Sequence, residues 1–116
     1  MKQLILSTRP AIARTAITVI NMEGVLDLAT AIDFESQLRE VFNQKGYNVV
    51  LSMKNLTYVS SRGFEALIRV NRVVQKNKGE MKITCISPDV YEAFQLLELH
   101  NFFKILKSED DAVKAF

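Results

Sequence analysis

Cysteine occurs once in this chain, histidine once and proline twice. With Cys85 alone, no internal disulfide can form. Cys85 and His100 together are too few soft ligands for a zinc-type site. No apolar run approaches the roughly 20 residues that cross a bilayer. The opening stretch, Met1 to Ser7, lacks the apolar core and small-residue cleavage site of a leader. A cytoplasmic location with no membrane partner is therefore the expectation. Charge of one sign is also lacking: 15 Lys and Arg face 13 Asp and Glu, a net +2. That balance does not imply nucleic acid. The phosphate-cradling G-x-x-x-x-G-K loop and the G-x-S-x-G nucleophile elbow are both missing. A serine nucleophile would need a base and an orienting group, and His100 is the one histidine on offer. No adjacent acidic pair follows the first strand to hold a divalent ion. The expectation is a protein that is not an enzyme and takes no cofactor and no metal.

What is present is ordinary globular material, 48% hydrophobic and 24% charged over 116 residues. This length suits a single domain over 1–116, with no repeat, linker or low-complexity tract. Leu4 to Ser7 reads as a short strand ended by Pro10. Thr15 to Met22 is rich in β-branched residues and reads as a second strand, interrupted by Gly24 and Asp27. Thr30 with Asp33 forms a capping-box variant. After it, Ala31, Phe34, Leu38, Val41 and Phe42 recur at helical spacing until Gly46. Asp27 is read as a cap or organiser of the loop before this helix.

Asn48 to Met53 is a compact apolar strand suited to a sheet covered on both faces, and Lys54 to Thr57 reads as a turn. The longest helix runs from Phe64 to about Asn77, with Phe64, Leu67, Ile68, Val70, Val73 and Val74 apolar, and Gly79 closes it. Met81 to Ile86 is the next strand, where Cys85 reads as a small core residue. Ser87-Pro88-Asp89 signals a helix start, followed by the stripe Val90, Ala93, Phe94 and Leu97. His100 falls in the turn before a last strand, Phe102 to Leu106. Ser108 to Asp111 opens a terminal helix. The order ββαβαβαβα predicts an α/β fold with a central, mostly parallel sheet and about four helices.

Ser60-Ser61-Arg62-Gly63 stands out between a buried strand and the longest helix. Ser60 or Ser61 can cap that helix. Gly63 in a first turn costs up to about 1 kcal/mol against alanine, which points to tight packing or a close partner. Arg62 opposes the helix dipole by roughly 0.3–1 kcal/mol when exposed. Local rules broken at an exposed junction point to function. Between Arg62 and Lys82 six cations face Glu65 and Glu80, leaving +4. No aromatic-interleaved nucleic-acid motif accompanies this run, which reads as a solvated helix face, with an acidic protein partner as the alternative.

Taken in order, these segments resemble a STAS domain, the fold shared by anti-sigma factor antagonists and by the cytoplasmic tails of sulfate transporters. The resemblance is carried by Gly24-Val25-Leu26-Asp27 with Ala31, and by Val49 to Met53 with Leu56. It continues through Tyr58-Val59-Ser60-Ser61-Arg62-Gly63, Gly79-Glu80-Met81, Ser87-Pro88, Val90, Phe94, Leu97-Glu98-Leu99 and Phe102-Phe103. It implies a non-catalytic module that competes for an anti-sigma factor or related regulatory protein kinase. In that family the loop reads Asp-Ser-Ser-Gly or Asp-Ser-Thr-Gly, and the partner kinase phosphorylates the second hydroxyl residue. Here Ser60 stands at the aspartate, Ser61 at the first serine and Arg62 at the acceptor, which therefore has no hydroxyl. The usual phosphoswitch is expected to be lost, which leaves three alternatives: a constitutively unphosphorylated antagonist switched by abundance or ligand, a different acidic partner bound through Arg62, or, least favoured, Ser61 or Ser60 as a displaced acceptor. The expected protein-binding residues are Asp27, Ser60, Ser61, Arg62, Gly63 and Phe64. The alternative is a ligand-sensing or structural STAS-like module with a non-sigma partner. Edge-strand exposure is not legible in the sequence, so a homodimer stays open.

Overall fold

The computed structural model describes residues 3–116. Met1 and Lys2, which open the stretch read as free of a leader, lie outside the described residues. Two strands come first, β1 (Leu4–Pro10) and β2 (Thr18–Leu26), then α1 (Leu28–Lys45) and β3 (Asn48–Val59). They are followed by α2 (Ser61–Lys76), β4 (Glu80–Thr84), α3 (Pro88–Leu96), β5 (Lys104–Leu106) and α4 (Glu109–Lys114). The element order is the expected one. The strands lie side by side as β1-β2-β3-β4-β5, with β1 antiparallel to β2 and every other pair parallel. Parallel crossovers share one hand, so strands that step steadily in one direction send their helices to one face.

Strand alternation builds a separate core on each face. Ile20 and Met22 of β2, Val49, Leu51 and Met53 of β3, and Met81 and Ile83 of β4 pack against α1, α2 and α3. Phe34, Leu38 and Phe42 of α1, Phe64, Leu67, Val70 and Val74 of α2, and Val90 and Phe94 of α3 meet them there. The intervening residues Val19 and Val50 point to the other face, under Ala11, Ile17, Ala112 and Val113. That second core is small and α4 closes it.

Several boundaries differ from the sequence reading, each for a tertiary reason. β1 continues through Arg9 to Pro10, because an edge strand tolerates proline at its last position. β2 begins at Thr18 and runs through Gly24 to Leu26. Gly24 adopts φ 114° beside a register shift, so it bends the strand and does not end it. Lys54 to Thr57 is not a turn, since β3 stays paired with the bulged β2 as far as Val59. The α1 cap is Asp27, not Thr30. The Asp27 carboxylate accepts from the Thr30 backbone N–H at 3.1 Å, and the Thr30 hydroxyl accepts from the Asp27 N–H at 3.0 Å. β4 stops at Thr84, so Cys85 is not a core residue; it is half-buried at φ 58°. Leu97 leaves the α3 stripe as an exposed C-cap residue. Phe102 and Phe103 form the turn before β5, with Phe103 buried and Phe102 exposed.

Candidate functional site

The parallel neighbours β2 and β3 end together, and the chain leaves each of them into a helix. Asp27 caps α1 and Ser60 caps α2, its hydroxyl accepting from the Gly63 N–H at 3.2 Å. The two ends are tied directly, because the Ser60 N–H donates to the Leu26 carbonyl at 2.9 Å. Gly63 presses on that same carbonyl: a Cβ there would lie 2.3 Å from the Leu26 oxygen. The glycine is thus required by backbone approach inside the monomer. The next residue, Phe64, is buried and packs edge-on to Phe94, ring centroids 4.8 Å apart. Further along α2, Arg69 donates two hydrogen bonds to Glu35 of α1, at 2.8 and 2.9 Å. This hydrogen bonding holds the Arg69 guanidinium above its ordinary pKa. The first turns of both helices therefore sit on a fixed frame.

On that frame Ser61 and Arg62 are exposed, and Asp27 and Ser60 are half-buried. These four residues, with Leu28, Ala29 and Tyr58, line a shallow depression of about 560 Å³. Of the six residues expected to bind protein, the structure brings Asp27, Ser60, Ser61 and Arg62 to this surface. The other two, Gly63 and Phe64, are turned inward, so neither side of that pair presents a contact group. The sequence reading also missed exposed apolar residues: Leu28 and Tyr58 line the depression, and Ile32 follows one turn along α1. Leu28 is 68% exposed, Ile32 79% and Tyr58 50%. Leu28 and Ile32 are one helical turn apart and fall outside the stripe of Ala31, Phe34 and Leu38. An off-phase apolar pair was the available signal.

Other candidate groups lie outside the depression. His100 packs edge-on to Tyr91, centroids 6.3 Å apart, and does not line the depression. The basic run from Arg62 to Lys82 is not one surface. Lys82 is buried, with its ammonium 4.7 Å from the centre of the Phe116 ring and 3.4 Å from Glu80. Among the described residues no cluster of His, Cys, Asp and Glu is placed to hold a metal ion, and no helix is long and apolar enough to cross a membrane.

The comparisons converge on one family. The family model of the STAS domain matches residues 8–112. The chain is similar to an anti-sigma F factor antagonist of Paenibacillus polymyxa, 27% identical over 100 residues, covering 85% of this chain and 83% of that protein. Its fold matches the crystal structure of an anti-sigma factor antagonist from Mycobacterium paratuberculosis, TM-score 0.82 at 19% identity, over 97% of this chain and 92% of the other. An anti-sigma-factor antagonist (STAS) domain protein from Planctomyces limnophilus matches with TM-score 0.76 at 15% identity, over 97% of each chain. With nearly its full length matched and the strand order, crossovers and β3–α2 junction in place, the chain belongs to the STAS domain family, a family of non-catalytic regulatory modules.

Proposed function

We propose that this chain acts in the cytoplasm as an antagonist of an anti-sigma factor or a related regulatory kinase, binding it in competition with the regulator's other client. Residues 1–116 work as one binding unit, and the contact surface is the depression between the first turns of α1 and α2. The observation that carries this reading is the exposed Ser61–Arg62 turn sharing a depression with the exposed side chains of Leu28 and Tyr58, with exposed Ile32 one turn further along α1. Exposed large apolar groups gathered beside polar ones mark interaction surfaces. The antagonist names of the similar proteins support the choice of partner. Since Arg62 has no hydroxyl, the interface works without a phosphate at that position. Control then lies in the abundance of the chain or of its partner.

The test is direct. The tagged chain is expressed in its native host, the bound regulator is identified, and affinity is measured by calorimetry with the purified pair. Leu28→Asp and Ile32→Asp are expected to weaken binding by about 30-fold each, because a carboxylate would be desolvated at the centre of the contact. Leu96→Asp, an equally exposed position on α3, should leave affinity unchanged. Affinities of the Leu28 and Ile32 variants within twofold of wild type would remove the depression as the docking site.

A further inference from the structure

The depression is lined by one acid, Asp27, and one base, Arg62, and the placement of the base constrains what can cover it. Arg62 occupies the second position of α2, where a cation meets the positive end of the helix dipole. The first turns of α1 and α2 contain no acidic residue, whereas α3 has Asp89 there and α4 has Glu109, Asp110 and Asp111; α1 has the Asp27 carboxylate as its cap, and α2 has the neutral Ser60. Among the described residues Arg62 has a single contact with a carboxylate, Nη1 to Glu65 Oε2 at 3.3 Å, between side chains that are 64% and 49% exposed. Such pairs are held weakly and exchange readily. The guanidiniums of Arg9 and Arg69, by contrast, each make two hydrogen bonds to one carboxylate, Glu109 and Glu35. The acid lining the depression, Asp27, is engaged in capping α1: its Oδ1 accepts from the Thr30 N–H at 3.1 Å, while the Thr30 hydroxyl donates to the Val25 carbonyl at 3.0 Å.

We infer that the partner meets Arg62 with an aspartate or glutamate carboxylate set among apolar side chains, so that Arg62 selects a partner by charge. This rests on the docking surface proposed above and specifies what docks there. Covering Leu28, Ile32 and Tyr58 drives water from around the guanidinium, and a buried cation without a counter-charge is strongly unfavourable. A carboxylate satisfies the planar fork with two parallel hydrogen bonds. It also meets the uncompensated end of α2, so helix and side chain attract the same group. Charge complementarity therefore favours an acidic anchor with an apolar surround over a neutral or basic one.

The experiment places p-benzoylphenylalanine at Ala29, an exposed residue lining the depression, in the full chain expressed in its native host. The crosslinked partner segment is then mapped by mass spectrometry. That segment should contain an aspartate or glutamate next to apolar residues. In calorimetry with the purified partner, Arg62→Lys is expected to lose about tenfold in affinity and Arg62→Glu about 100-fold, as for a desolvated charge pair. Exchanging the partner's carboxylate for lysine should return at least about tenfold of the Arg62→Glu loss. A crosslinked segment without an acid, or an Arg62→Glu affinity within threefold of wild type while Leu28→Asp weakens binding as expected above, overturns the acidic anchor and leaves the docking surface standing. If Leu28→Asp and Arg62→Glu both bind normally, or no partner crosslinks, the surface and the anchor fall together.

Discussion

Replacing Gly63 by alanine places one methyl group where the structure has no room for it. The new Cβ would lie 2.3 Å from the Leu26 carbonyl oxygen, and 3.0 Å from both the Leu26 carbonyl carbon and its Cγ. These are largely backbone atoms, and they cannot retreat independently, because the Leu26 oxygen also accepts the Ser60 N–H at 2.9 Å. Overpacking of a tight site costs about 1–3 kcal/mol, and contact with tethered backbone falls at the upper end. Alanine in a helix returns about 1 kcal/mol over glycine. The net expectation is a loss of about 2 kcal/mol. For a chain of this size, that lowers Tm by about 8 °C at roughly 4 °C per kcal/mol. Circular dichroism on heating measures it, and amide chemical shifts show where the strain goes. Leu26, Ser60, Ser61 and Arg62 should move most, because the first turn of α2 must lift from the end of β2. Gly46→Ala is the control, with φ 92° and nothing within 4 Å of its Cβ. It should lose stability through backbone strain alone and leave the Ser61 and Arg62 amides in place. A Gly63→Ala chain that melts at or above the wild-type temperature would refute the reasoning, since helix propensity would then have outweighed the contact.

The remaining predictions concern the second sheet face. Hydrogen bonding from Arg9 holds the Glu109 carboxyl below its ordinary pKa, against an opposing effect of partial burial and with help from the Ile12 N–H. A carboxyl depressed in the folded state stabilises above its unfolded pKa and loses that contribution as pH falls through the folded one. The protection factors of the Ala112 and Val113 amides, corrected for the intrinsic pH dependence of exchange, should therefore fall as pH drops below the ordinary glutamate range. Glu109→Gln should lack this acid step, and an identical acid response in that variant would rule the pair out as its cause. Thr84 is buried, and among the described residues its hydroxyl has no hydrogen-bond partner. Thr84→Val should raise stability by about 1 kcal/mol, or about 4 °C in Tm, by removing an unmatched polar group while keeping the shape. A drop of 3 °C or more would show that the hydroxyl is satisfied.

Capping and helical stripes were legible because they are local. Ser60, Ser87 and Ser108 each cap the helix that follows, accepting from backbone N–H groups three residues ahead. Gly46 ends α1 at a positive φ that other residues avoid. Phe34, Leu38, Val70 and Phe94 were recognisable as core from spacing alone. Boundaries set by distant pairing were not. Lys54 to Thr57 has the composition of a turn, but the hydrogen bonds of β2 hold it in a strand. Lys82 belongs to a basic run by sequence, and the period of β4 turns it into the interior beside Phe116.

The sequence by itself determined the element order, the family and the position of the exposed junction at Ser61 and Arg62. Those depend on hydrophobic period, cap chemistry and residues a few positions apart. Tertiary structure alone decided what surrounds that junction. Gly63 is committed to a carbonyl 37 residues earlier in the chain, Phe64 faces inward, and Leu28 and Tyr58 come to line the depression. Which side of a residue meets solvent depends on where separate elements pack together, and no local pattern encodes that.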